Sequence, residues 1–174
     1  MAEQFDVVGR LEAERAITCV LQRYVRANDR LQLDELALAY HPDAYDDHGT
    51  YKGDVPGLLA WIADRHRTID QSMHLIGTPL IEQDGLAAYV ETPCILVQHE
   101  RTGCIDLATR LPAYCRYTFG LRYVDRFECR GGDWRIARRT VVWEWSSQSA
   151  GTLAMGPTWV MAQRSRADAV YEAR

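Results

Sequence analysis

Histidine beside carboxylate is the first pattern in this chain able to do chemistry. Asp46-Asp47-His48 puts two acids next to an imidazole. On a strand, residues 46 and 48 share one face and 47 takes the other. Asp46 and His48 can then reach a pocket together, to orient a substrate or serve as an acid; the same run also reads as a charge cluster on an edge strand. His41-Pro42-Asp43 is a His-x-Asp step with His48 close by, and two histidines with one carboxylate suit non-haem iron. A proline at a turn between the two ligands argues against that site. His74 stands alone in a strand-like stretch. An imidazole with an ordinary pKa of about 6.5 is partly neutral at physiological pH and can take a proton from carbon, although a lone strand histidine also serves as a packed or surface side chain. Tyr123 and Asp125 share a strand face, with Tyr123 as a pocket wall, and Trp143 and Trp145 share another. There is no Gly-rich phosphate loop, and no Ser or Cys has a nucleophile's context.

These side chains need elements to hold them. Leu11 to Asn28 reads as a helix, with Ile17, Leu21, Tyr24 and Asn28 on one stripe at spacings of three and four. Leu33 to Tyr40 is a second, shorter helix ended by His41-Pro42, because a residue before proline disfavours helical geometry. Ala44 to Tyr51 is the first strand, Lys52-Gly53-Asp54 a turn, and Pro56 the start of a third helix in which Leu58, Leu59, Ile62 and then Arg65 or His66 keep helical spacing. Strands follow over Met73 to Gln83 and Leu86 to His99, separated by a turn at Gln83-Asp84-Gly85. Residues 100–115 read as an irregular connection. Tyr117 to Cys129 and Trp134 to Trp145 flank Arg130-Gly131-Gly132-Asp133, a hairpin whose two glycines supply positive φ. Residues 146–158 read as a loop, and Trp159 to Arg174 as a short helix or ordered tail that covers a pocket mouth or a subunit neighbour. Helices first and an antiparallel meander afterwards make an α+β pattern with the helices on one sheet face.

The totals limit the function. A length of 174 residues suits one domain, a core over about 8–146 and a tail over 147–174. A net charge of −4 without any Lys/Arg run lacks the patch that nucleic acid needs. No apolar run reaches membrane-spanning length, and the polar N-terminus is unlike a secretory leader. Five scattered cysteines without a CxxC pair point to reduced thiols in the cytoplasm, with no disulfide framework or zinc site.

Several stretches in order resemble the SnoaL-like branch of the nuclear transport factor 2-like superfamily. They are Arg26-Ala27-Asn28-Asp29-Arg30, Tyr40-His41-Pro42-Asp43-Ala44, Asp46 to Gly53, Ser72-Met73-His74-Leu75-Ile76-Gly77-Thr78, Arg122 to Glu128 and Trp134 to Arg139. The resemblance implies a cone-shaped α+β barrel: a curved, mostly antiparallel sheet wrapped by the N-terminal helices around an apolar pocket. The family's dehydratase and dehydrochlorinase members imply an Asp on the first helix and a His on a following strand, which fall here on Asp29 and His74. They also imply an arginine five residues after the hairpin tryptophan, Arg139, and a tyrosine five residues before the aspartate, Tyr24. His74 is then the base and Asp29 the group that fixes its tautomer, while Arg139 and Tyr24 stabilise developing negative charge. Alternatively Asp29 ends its helix and pairs with Arg30, and Tyr24 is core. A late arginine of one relative has no counterpart, its place falling near Trp143. The expectation is a cofactor-independent lyase of dehydratase type acting on a small, hydrophobic, cyclic or aromatic molecule. Double-bond isomerisation and formaldehyde-releasing carbon–carbon cleavage use the same base, and a non-catalytic small-molecule-binding protein is the alternative from another class. Relatives imply a homo-oligomer, a trimer before a dimer.

Overall fold

The structure, a computed structural model, describes residues 7–105, 112–151 and 158–172. Its organising strand is β5 (Ala87–Ile105), where Ala88, Val90, Thr92, Cys94, Leu96 and Gln98 are buried in strict alternation. That period of two defines an inner sheet face. Successive rungs pair Val90 with Asp125, Thr92 with Tyr123 and Cys94 with Leu121 of β6 (Pro112–Arg130), which carries the same face onward.

The third long strand, β7 (Asp133–Gly151), changes phase twice. Arg126 pairs with Arg138 but Phe127 with Ile136, so Ala137 is an extra residue. Strict alternation would send Ile136 and Arg139 to opposite faces; the bulge turns both inward and leaves Arg138 exposed. A second irregularity pairs Gly120 with Trp145 and Leu121 with Trp143, leaving Glu144 extra. Trp143 therefore faces inward, whereas the Trp145 indole lies over Gly120 on the outer face, where a Cβ would come within 2.3 Å of it. The expectation that the two tryptophans share a face fails at this bulge. Bulges also bend the sheet and supply the curvature of the cone.

The remaining strands complete a seven-stranded sheet. Its order is β2 (Lys52–Asp54), β1 (Tyr40–Asp47), β7, β6, β5, β3 (Ile69–Ile76), with β4 (Leu80–Asp84) beside β5 as well. All pairings are antiparallel except β1 with β7, so the sheet is mostly antiparallel, as expected. The hairpin at Gly131 and Gly132 forms as expected, with φ of 62° and 92°. Helix α1 (Val7–Asp29) crosses the concave face and buries Ile17, Leu21, Tyr24 and Asn28, the expected stripe. A fully buried Leu or Ile there contributes roughly 1.5–3 kcal/mol. Helix α2 is only Leu33–Ala37, because β1 begins at Tyr40 and runs through Pro42, whose ring is tolerated near a strand's start. Helix α3 (Val55–Arg65) is capped by Asp54, whose carboxylate accepts from Gly57 N–H, with Pro56 in its first turn.

Three further expectations change. The strand over Met73 to Gln83 is two strands, β3 and β4, interrupted at Gly77-Thr78-Pro79. The 100–115 connection is mostly strand, since β5 and β6 continue to Ile105 and from Pro112, while 106–111 lie outside the described residues. Strand β7 extends to Gly151 where a loop was expected, and 152–157 lie outside the described residues. Over the described residues 158–172 the tail is irregular apart from one 3-10 turn, Ala169–Tyr171. All five cysteines are free thiols, and no helix among the described residues is long and apolar enough to cross a membrane.

Candidate active site

The end of α1 sets the first catalytic candidate. Leu31 takes a positive φ of 51°, and Gln32 N–H donates back to the Ala27 carbonyl at 2.8 Å. This left-handed closure ends the helix within two residues of Asp29 and leaves the carboxylate facing β3. There Asp29 Oδ1 lies 2.7 Å from His74 Nδ1, and Oδ2 accepts the His74 backbone N–H at 3.0 Å. One carboxylate thus fixes both the ring and the strand that carries it. Nδ1 is the donor, so the neutral ring keeps its lone pair on Nε2. Arg30, the alternative partner of Asp29, pairs instead with Asp168 at 2.9 Å.

His74 opens onto a cavity of about 320 Å³, on the inner face between β3, β5, β6, β7 and α3. Leu96, Phe119, Leu121, Val141, Trp61 and Trp143 form its apolar walls, and Tyr123 also borders it. A space of this size and lining suits one ring-sized apolar molecule.

Across the cavity is a second imidazole–carboxylate pair. His48 lines the space, with Nδ1 hydrogen-bonded to Asp46 Oδ1. Asp46 is fully buried and also accepts from the Tyr40 hydroxyl at 2.7 Å. The shared face of residues 46 and 48 is the inner one, with Asp47 on the other, paired to Lys52.

Arg139 and Tyr24 sit elsewhere. Arg139 is wholly buried and grips Asp125 with two hydrogen bonds, Nε to Oδ1 at 2.7 Å and Nη2 to Oδ2 at 2.6 Å. Its guanidinium sits in the corner formed by the nearly perpendicular rings of Tyr24 and Tyr123, 4.2 Å and 4.1 Å from their centroids. These contacts compensate a charge that would otherwise be very costly to bury. Neither Arg139 nor Tyr24 is among the residues lining the cavity; Tyr123 does line it. Burial pushes the Tyr24 hydroxyl up to about 12 and that of Tyr123 well above its ordinary value, so both stay protonated.

The His-x-Asp step is not gathered. His41 Nε2 donates to the Glu128 carbonyl at 2.9 Å, and Asp43 pairs with Arg130 at 2.6 Å. Among the described residues no three His, Cys, Asp or Glu side chains are grouped to hold a metal.

Sequence reasoning did not single out several polar groups near the cavity. His66 and Gln98 line it, and Arg164 of the tail reaches His66 Nδ1 at 2.7 Å. His66 continued the Leu58–Ile62 stripe of α3 and Gln98 the inward alternation of β5, so both were findable. Arg164 lies in a stretch with no periodicity, and nothing in the sequence marks it.

Comparison with known proteins bears on the family and the fold. Among solved structures, a hexachlorocyclohexane dehydrochlorinase, LinA-type3, from Novosphingobium barchaimii LL02 is similar at 15% identity and a TM-score of 0.71, over 86% of this chain and 99% of that one. A protein assigned as a scytalone dehydratase from Novosphingobium aromaticivorans DSM 12444 matches at 15% identity and a TM-score of 0.68, over 86% and 95%. The beta subunit assigned to an aromatic-ring-hydroxylating dioxygenase of the same organism matches at 22% identity and a TM-score of 0.57, over 87% and 96%. At such identities the likeness speaks for fold alone. No curated protein matches the chain. The SnoaL-like domain family matches residues 9–140 in sequence, and with the unclosed, curved, mostly antiparallel sheet and its three helices, the chain belongs to the SnoaL-like family of the nuclear transport factor 2-like superfamily.

Proposed function

We propose that this protein is a cofactor-independent lyase of dehydratase type, acting on a small hydrophobic cyclic or aromatic molecule. His74 Nε2 removes a proton from carbon, and the C–H electrons become the new double bond. The leaving hydroxyl departs as water, carrying a proton from His48. Asp29 and Asp46 stabilise the imidazolium on each side. Arg139 and Tyr24 enter this reading as the frame beneath the cavity floor, and Tyr123 as the wall above it. Double-bond isomerisation and formaldehyde-releasing carbon–carbon cleavage draw on the same base and belong to the same reading. The observation that carries it is the Asp29–His74 hydrogen bond at the edge of an apolar cavity. Support of a coarser kind comes from the dehydrochlorinase and dehydratase among proteins of similar fold.

The test does not require the natural substrate. Cyclic ketones and hydroxylated alicyclic compounds are incubated with the protein in D2O and followed by NMR for deuterium at carbon and for loss of water. Exchange or elimination should vanish with His74→Ala and fall roughly 10²–10⁴-fold with Asp29→Asn, the range of a positioned general base and its orienting carboxylate. Compounds that bind but exchange no proton would favour a non-catalytic binding protein.

A further inference from the structure

The polar end of the cavity contains a hydrogen-bond chain whose direction can be worked out from its first member. Arg164 reaches back from the tail and donates to three main-chain carbonyls: Asn28 at 3.1 Å, Asp29 at 3.1 Å and Ile69 at 2.9 Å. The first two are at the C-terminal end of α1, where a cation suits the helix dipole and the free carbonyls. The remaining bond of Nη2 meets His66 Nδ1 at 2.7 Å. A guanidinium has no lone pair to offer, so Nδ1 must accept. His66 is therefore neutral, with its single proton on Nε2.

Next along the chain, the carboxamide nitrogen of Gln98 lies 3.5 Å from His66 Nε2. Two donors do not bond, and the nitrogen and oxygen of a carboxamide exchange places by a half-turn. The bonded orientation has Gln98 Oε1 accepting from His66 Nε2–H and turns the NH2 toward the cavity that both residues line. Burial, then the charges of Arg164 and Arg65 and the neighbouring His74, push the His66 pKa down to about 3, which agrees with a ring that stays neutral.

We infer that the chain Arg164→His66→Gln98 makes this end of the cavity a dedicated hydrogen-bond donor, selecting ligands that carry a carbonyl oxygen on an apolar ring. Gln98 is thus a specificity-determining residue, and His66 and Arg164 are positioning residues that act through it. The inference deepens the proposed function by naming its ligand class, but the donor chain exists whether or not His74 acts as a base.

Two measurements on the full chain test it. In the first, histidine ¹⁵N NMR of the wild-type protein is followed from pH 7.5 to 4.5. His66 should appear as the Nε2–H tautomer and not titrate. A ring that titrates near its ordinary value, or bears its proton on Nδ1, overturns the chain. In the second, 1-indanone and indane are compared by quenching of tryptophan fluorescence, since Trp61 and Trp143 line the cavity. The ketone should bind about tenfold tighter, the worth of one good buried hydrogen bond. Gln98→Leu should remove that preference and Gln98→Glu should reverse it, while indane affinity stays within about threefold in the leucine variant. His74→Ala should keep the preference, which separates failure of the base from failure of the donor chain. Equal binding of ketone and hydrocarbon by the wild-type protein overturns the inference without any variant.

Discussion

Arg139 has the chemistry of a catalytic group and the surroundings of a structural one. Removing one partner of a buried ion pair leaves an uncompensated charge, which costs roughly 3–5 kcal/mol. Arg139→Met and Asp125→Asn should each lower the unfolding free energy by about that amount. Arg139→Met combined with Asp125→Leu should recover most of the loss, as apolar replacement of a whole buried pair often does. Urea titrations of the three variants check this. An Arg139→Met protein as stable as wild type would contradict the buried pair described above. The site was partly legible in the sequence for a related reason. Asp46 and His48 lie two apart on a strand, so their shared face could be read from spacing, whereas Asp29 and His74 were marked as a pair only by the family resemblance. Arg139 was counted correctly from Trp134, yet the count carries no depth: it cannot distinguish a side chain lining the cavity from one lying a rung beneath it, behind Tyr123.

At the scale of elements, the phase of β7 decides what the cavity contains. Ala137 is the extra residue that brings Arg139 and Val141 onto the same face as Ile136. Deleting Ala137 would restore simple alternation from Ile136 onward, with Arg138 still outward and Arg139 still inward, so it removes the bulge and its bend while keeping every inward side chain. Because the shortened strand would lose that bend and its match to β1, which pairs with Ile136 and Arg138 on either side of Ala137, the expected result is a marked fall in melting temperature, well beyond that of Ala137→Gly. Differential scanning calorimetry of both variants checks it; equal loss would mean that the bulge has no special role. Bulges explain much of what the sequence could not reveal. Alternation is a local signal, and an inserted residue reverses it without leaving a compositional mark, which is how Trp143 and Trp145 were read as sharing one face. Where signals were local and redundant the reading succeeded: the α1 stripe, the Asp54–Pro56 helix start and the Gly131-Gly132 hairpin. The β3–β4 break at Gly77-Thr78-Pro79 had a visible proline, whereas Gly103 and Pro112 punctuate 100–115 without stopping β5 before Ile105 or delaying β6 beyond Pro112.

At the scale of the molecule, the outer sheet face remains to be covered. Met73 and Leu75 of β3 are each 68% exposed, and Leu75 pairs with Ile95, another exposed apolar residue. Trp145 adds its indole to the same face. Contiguous apolar surface on a sheet's convex side is the usual mark of subunit contact. We propose a homo-oligomer, a trimer before a dimer. Light scattering should give three times the 19.9 kDa chain mass, and Leu75→Glu should shift the protein toward the monomer. A wild-type mass of one chain would rule the assembly out.

The tail also has a consequence in time. Arg164 binds the carbonyls of residues 28, 29 and 69 and orients His66. During synthesis every wall of the cavity leaves the ribosome before this residue does. A nascent chain can therefore close its sheet and join Asp29 to His74 while the polar end of the cavity is still unset. Selectivity would be the last property the growing molecule acquires.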